Sequence, residues 1–279
     1  MHADLDVFNS INSGQVFLWK REDRRWHGVN GNDVLEVDER GDPSALKKTA
    51  RDFFRLDDDY AKMLADISRD PVVRSSVGRY RGLRLLRQDP FQCYITFIVS
   101  ANSSIPNIKT RLERLCSVFG KEARAGQDRL CLFPTPQRLA KAPISELLSC
   151  GLGYRAKFVK SASELVSEGR LDLESLRGLS YEEARAELVG VAGIGNKVAD
   201  CVMLFSLEKL DAFPLDTWIL KALDSRYAGR FRTGKSLTDG RYLRLHGEIR
   251  GHFGEYAGLA QQFLFKMIRD QSQKRWLQD

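Results

Sequence analysis

Between residues 13 and 40 apolar and polar positions alternate, whereas from Pro43 onward apolar residues recur every three or four positions. In the first stretch Val16, Trp19, Trp26, Val29, Val34, Leu35 and Val37 are broken by Gly28 and by the turn Gly31, Asn32, Asp33, a pattern that predicts short antiparallel strands. Beyond Pro43 the segments 45–56 and 60–68 read as helices, the second stopped by Pro71. Helical spacing then recurs between short Gly or Pro breaks over 90–101, 108–120, 143–150, 154–169, 181–190, a helix starting at Lys197, 217–223 and 258–271. The expected fold class is therefore α+β: an N-terminal α+β domain with an antiparallel sheet at 1–80, then a mostly helical domain at 81–279 containing a cleft. Residues 225–241, rich in Arg, Gly and Lys, read as a mobile loop.

The densest signal is LVGVAGIGNKVADC, residues 188–201, followed by AFPLDTW, residues 212–218. Ser180 and Glu183 form a capping-box pattern that opens one helix, and Gly190, Gly193 and Gly195 allow a sharp reversal before a second helix. Asn196 is the expected N-cap of that second helix, which makes a hairpin over 181–208. Such a turn directs unpaired N–H groups and the positive end of a helix dipole outward, an arrangement suited to phosphate. Lys197 then stands at the wrong end of its own helix dipole. Two readings account for it: a phosphate neutralises the clash, or the lysine serves as a neutral amine that attacks carbon. Asp216 bears on that choice. A helix of twelve residues is ~18 Å long and a seven-residue extended return spans roughly 23 Å, so the chain can bring Asp216 back beside Lys197, where it also reads as an N-cap.

These residues resemble the helix-hairpin-helix (HhH-GPD) DNA glycosylase superfamily, and lysine at 197 resembles its bifunctional, strand-cleaving branch. With SGQVFLW (13–19), GLRLLRQDPFQC (82–93), GLGYRAKFV (151–159) and YAGLAQQFLF (256–265) in order, the chain is similar to the 8-oxoguanine DNA glycosylase/AP lyases over nearly its whole length. That resemblance implies an active site in a cleft between helical subdomains, base flipping out of duplex DNA, and catalysis by Lys197 and Asp216. It places Cys201 and Phe265 on the two faces of the flipped purine, Gln261 on its Watson–Crick edge, and the Gly14 carbonyl at the N7 proton that distinguishes oxidised guanine. By the same resemblance Asn102 fills the gap in the stack, Tyr154 and Arg155 lie beside the orphaned cytosine, and Gly193, Gly195 and Trp218 contact the DNA backbone. A sodium or potassium ion on the carbonyls of Val189, Val191 and Ile194 is also implied. The chain departs from the family at Ala192, commonly proline, at Trp218, often histidine, and at Asn107, an arginine in eukaryotic members that inspects the opposite cytosine.

The net charge of +7 and a pI near 9.2 agree with a polyanionic partner without requiring one. The five cysteines form no CxxC pair, and none follows Cys201, so neither an iron–sulfur cluster nor a zinc site is expected and no cofactor is required. The N-terminus lacks the apolar core of a secretory leader, and no run approaches the ~18 apolar residues of a membrane span. The expected partner is duplex DNA containing 8-oxoguanine opposite cytosine, met by a monomer that is intracellular and DNA-associated, in the cytoplasm or nucleoid of a prokaryote or in a nucleus. The competing readings are a relative acting on an alkylated purine, and a duplex-binding module without catalysis, which would bind with steep salt dependence and release no base.

Overall fold

The computed structural model describes residues 4–39, 42–126, 128–227, 229–234 and 236–275. The alternating stretch forms β1 (Trp19–Glu22), β2 (Arg25–Asn30) and β3 (Asp33–Asp38), an antiparallel sheet in that order in which Trp19 faces Gly28 and Asn30 faces Asp33. Helix α1 (Val7–Ile11) precedes the sheet and α2 (Lys48–Phe53) follows it. Trp19, Trp26, Leu35, Phe53, Phe54 and Leu86 are buried together there, with Trp19 stacked on Phe53 at 5.3 Å. This is the fold class that the two periodicities predict.

Helices α3 (Tyr60–Ile67) and α4 (Pro71–Arg79) lead into a second, larger core built around α5 (Pro90–Ser100), every residue of which is buried. Helix α3 ends before Pro71, as the sequence reading has it, and Pro71 is itself the first residue of α4. Asp70 caps that helix, accepting the N–H groups of Val72 and Val73 at 2.9 Å each, and proline at the first helical position gives up no hydrogen bond. Around α5 follow α6 (Ile105–Phe119), the hairpin β4 (Glu122–Ala125) and β5 (Asp128–Cys131), α7 (Pro136–Ala140), α8 (Ile144–Ser149), α9 (Ala156–Ser167), α10 (Tyr181–Val189), α11 (Asn196–Ser206), α12 (Thr217–Arg226), α13 (Asp239–Phe253) and α14 (Ala257–Arg275).

Several elements escaped the pattern reading, the short helices α4 and α7 among them. The β4–β5 hairpin is composed of residues such as Glu122, Ala123, Arg124 and Asp128 with weak strand preference. Helix α13 contains Gly240, Gly247 and Gly251, which lower helix propensity, and its stripe of Tyr242, Leu245, Ile249 and Phe253 is interrupted by a buried His246. It occupies the end of the segment read as a mobile loop; within that segment Ala228 and Lys235 lie outside the described residues.

Candidate active site

The hairpin forms as its glycines and cap require. Ser180 and Glu183 make a reciprocal capping box at the start of α10. Gly193 has φ +90°, and a Cβ there would fall 2.5 Å from the Phe158 ring, so both conformation and space demand glycine. Asn196 is not the cap that the sequence suggests. Helix α11 begins at Asn196 with Gly195 in the cap position, and among the described residues no side chain caps its first-turn N–H groups. The Asn196 amide is instead drawn inward, donating to Asp239 Oδ1 at 2.8 Å and accepting from Arg185, so that it fastens α10 and α13 to the hairpin. Gly195 is exposed and faces open space. The uncapped N-terminus of α11 thus presents free donors and a positive dipole end to an approaching anion.

Behind the hairpin lies a cavity of about 830 Å³ between the Asn102 loop, α11, the 213–218 segment, the Gly14 loop and α14. Lys197 enters it with Nζ 5.1 Å from the Phe97 ring centroid, and no carboxylate among the described residues forms an ion pair with it. Asp216 faces the same cavity from the N-cap of α12, its Oδ1 accepting the Ile219 N–H at 2.8 Å. Burial pushes the Asp216 carboxyl pKa up, and the Ile219 N–H, the Lys197 charge, the Trp218 N–H and Arg269 pull against it. The two residues, nineteen positions apart in sequence, are electrostatically coupled without touching.

Cys201 lies about one turn along α11 from Lys197. Burial pushes its thiol up to about 12 against the opposing pull of Lys197, so it lines the cavity as a neutral, soft wall at physiological pH. Across the molecule Gly14 has φ +78°, and a Cβ there would meet Phe265 Cε1 at 2.8 Å; glycine lets the ring lie against the backbone. Gln261 is 2 % exposed, donates to the Pro214 carbonyl at 3.2 Å and accepts from Gln262 at 2.6 Å, while Gln262 Oε1 is buried without a partner. All six residues that the sequence reading assigned to catalysis and substrate line this one cavity. Sequence reasoning missed Arg269. It lines the cavity one helical turn beyond Phe265, its guanidinium 5.8 Å from that ring, with a long 3.5 Å contact to the Asn12 carbonyl. The spacing from Phe265 to Arg269 was the available signal, since residues four apart share a helix face.

Residues 1–94 match the family model for the N-terminal domain of 8-oxoguanine DNA glycosylase, and residues 95–236 match the HhH-GPD superfamily of base excision DNA repair proteins. The N-glycosylase/DNA lyase OGG1 of Arabidopsis thaliana is 30 % identical over 95 % of this chain and 77 % of its own length. The chain belongs to the 8-oxoguanine DNA glycosylase family. Among solved structures of the family, the 8-oxoguanine glycosylase/lyase of Clostridium acetobutylicum, in complex with duplex DNA containing cytosine opposite 8-oxoguanine, superposes with a TM-score of 0.87 at 33 % identity, covering 96 % of this chain and 93 % of that one. MBOgg1 in complex with a low-affinity DNA ligand superposes with a TM-score of 0.88 at 32 % identity over 97 % of this chain and 94 % of that one.

Of the remaining residues that the family resemblance singles out, Asn102, Gly193, Gly195 and Trp218 also line the cavity, and Tyr154 and Arg155 bond the loop that carries Asn102. Asn102 adopts φ +49°, an unusual conformation for a residue with a side chain, and its Nδ2 donates to the Tyr154 hydroxyl at 3.2 Å. Tyr154 is exposed. Arg155, in contrast, is buried: Nε donates to the Ala101 carbonyl at 2.7 Å, Nη2 to the carbonyls of Ala101 and Asn102, and Nη1 to Leu152 at 3.3 Å. Its donors therefore hold the Asn102 loop in shape, and reaching a base would require them to leave those carbonyls. Trp218 is half-buried beneath Lys221, whose Nζ lies 5.5 Å from the indole. Asn107 is exposed in the first turn of α6, and Ala192 is exposed in the hairpin turn. Within that turn the Val191 carbonyl accepts the Ile194 N–H at 3.1 Å. Among the described residues no group of three or more His, Cys, Asp or Glu side chains is placed to hold a metal ion, and no helix is long and apolar enough to cross a membrane.

Proposed function

We infer that this chain is a bifunctional DNA glycosylase/AP lyase that excises 8-oxoguanine from duplex DNA in base excision repair. The observation that carries the chemistry is the shared cavity, lined by both a lysine amine without a carboxylate ion pair and a half-buried carboxylate, beneath a helix N-terminus suited to hold phosphate.

In the mechanism we propose, the lesion nucleotide swings into the cavity. The Lys197 amine attacks the sugar C1′ as the C1′–N9 bond breaks, and the base departs with that electron pair and takes up a proton. The nitrogen then loses one proton and its lone pair expels O4′, which takes up a proton, so the ring opens to a protonated Schiff base; loss of a C2′ proton drives β-elimination, which breaks the C3′–O bond and nicks the strand with the phosphate as leaving group. Asp216 stabilises the cationic sugar and iminium through its charge. Phe265 and Cys201 sandwich the purine, Gln261 bonds its Watson–Crick edge, and the Gly14 carbonyl accepts the N7–H of 8-oxoguanine, where ordinary guanine would oppose it with a lone pair.

Asn102 fills the vacated stack with Tyr154 beside it, and Arg155 supports that wedge from behind and faces the cytosine side. Gly193 and Gly195 present hairpin amides to phosphates, with Trp218 donating from its indole N–H and Arg269 adding a cation at the mouth. The Val189 and Ile194 carbonyls take no backbone hydrogen bond among the described residues, which suits a monovalent cation shared with Val191 that would reinforce the positive end of the hairpin. The partner is duplex DNA with cytosine opposite the lesion, met by a monomer at intracellular DNA.

The test is borohydride trapping on duplexes carrying 8-oxoguanine opposite each base. A covalent adduct together with strand nicking, strongest opposite cytosine, is expected. Trapping only on a different lesion would overturn the substrate assignment, and base release with no adduct on any lesion would overturn the lyase step.

A further inference from the structure

We propose that Tyr242 and His246, both on α13, are positioning residues that set the spatial relation between Lys197 and Asp216; the proposal rests on the function inferred above. Residues 213–216 run without a strand partner, yet their polar groups are held one by one by side chains. The Phe213 N–H donates to His246 Nε2 at 3.1 Å, the Pro214 carbonyl accepts from Gln261 at 3.2 Å, and the Leu215 N–H donates to the Tyr242 hydroxyl at 3.2 Å. Asp216 is the next residue.

The Tyr242 hydroxyl has one proton to donate, and it goes to Asp200 Oδ2. Asp200 lies on α11 about one turn beyond Lys197 and is wholly buried; its other oxygen accepts from Tyr181 at 2.5 Å. A single oxygen atom on Tyr242 therefore joins the helix that carries the amine to the segment that carries the carboxylate. His246 adds the second tether: its Nε2 accepts from Phe213, while its ring stacks on Tyr181 at 5.2 Å and on Tyr242 at 6.0 Å, the two phenols that donate to Asp200. Burial, with Arg250 and Arg185 nearby, lowers the imidazole pKa to about 3, which keeps Nε2 an acceptor at the pH of DNA repair. Neither side chain lines the cavity; both act through the groups that do. A backbone displacement of an ångström near reacting groups is enough to cost roughly a hundredfold in rate, so the tethers have a kinetic consequence that a purely structural contact lacks.

The deciding experiment is a double-mutant cycle of Tyr242→Phe with Asp216→Asn, followed by single-turnover nicking of a duplex containing an abasic site. Nicking of that substrate requires no base recognition, so a wrong assignment of 8-oxoguanine leaves the comparison intact and the two readings fail separately. Tyr242→Phe is expected to slow nicking by roughly tenfold while duplex affinity changes by less than about twofold, and in the Asp216→Asn background the same substitution should lose most of its effect. An unchanged rate, or the same loss with and without Asp216, overturns the proposal. Should Tyr242→Phe fail to fold, His246→Gln, which retains an acceptor, is compared with His246→Leu, which does not: rate preserved in the first and lost in the second is expected, and equal rates overturn it.

Discussion

Lys197 and Asp200 sit about one turn apart on the same helix and are treated in opposite ways. Asp200 is completely buried, and both of its oxygens are taken by tyrosine hydroxyls from other helices. Burial pushes its carboxyl up to about 6, against those hydrogen bonds, so it is ionised at neutral pH and depends on them. Lys197 faces a cavity with the Phe97 ring and the Cys201 thiol beside its nitrogen, and among the described residues no carboxylate pairs with it. A buried charge left unpaired costs several kcal/mol, so the fold satisfies the residue that holds the frame and leaves open the one that must change bonding partners. A group already engaged in an ion pair would need that pair broken before it could react.

The contrast makes graded predictions. Lys197→Gln should abolish borohydride trapping and lower strand nicking by a factor of ~10³ or more, while its urea unfolding midpoint shifts by less than the equivalent of about 0.5 kcal/mol; a large loss of stability would show that Lys197 serves the frame after all. Asp200→Ala should do the reverse, destabilising by about 3 kcal/mol in the same urea titration because two buried hydroxyls lose their acceptor.

His246 provides a sign test of the buried side. Its folded pKa of about 3 lies below the ordinary histidine value of 6.5, so between these limits the unfolded chain binds the extra proton and stability from this group rises with pH. The stability of wild type relative to His246→Gln should therefore improve by about 1.6 kcal/mol from pH 5 to pH 6.5, measured by urea unfolding at both; a constant difference would show that the imidazole is not held neutral. The smallest effect belongs to the rim. Tyr154→Phe removes one exposed 3.2 Å hydrogen bond to Asn102 and should weaken duplex binding by no more than about fivefold, read in a fluorescence anisotropy titration.

Much of the site was legible because its residue types are tied to local rules. A glycine at 193, a capping box at 180 and 183, and a lysine at the wrong end of its helix dipole each announce themselves over a few residues, whereas Gly14 entered only through the family resemblance. Asn196 was misread for the same reason. Asparagine before a helix is usually a cap, and only the neighbouring Arg185 and Asp239 turn it inward. Arg155 was placed beside the orphaned cytosine by the resemblance alone, and nothing local announced the carbonyls of Ala101, Asn102 and Leu152 that its guanidinium contacts. Helix α13 was invisible because glycine and polar residues dilute its apolar stripe, and with it went Tyr242 and His246.

What the sequence determined alone was the pair of periodicities, hence a sheet followed by helices, together with the hairpin and the identities of an amine and a carboxylate within reach of each other. Those depend on backbone preference and on chain length, which are properties of neighbouring residues. The tertiary structure decided which polar groups are paired and which are left free, because a hydrogen bond between residues such as Tyr242 and Leu215 exists only once distant segments have been packed against each other and water has been excluded between them.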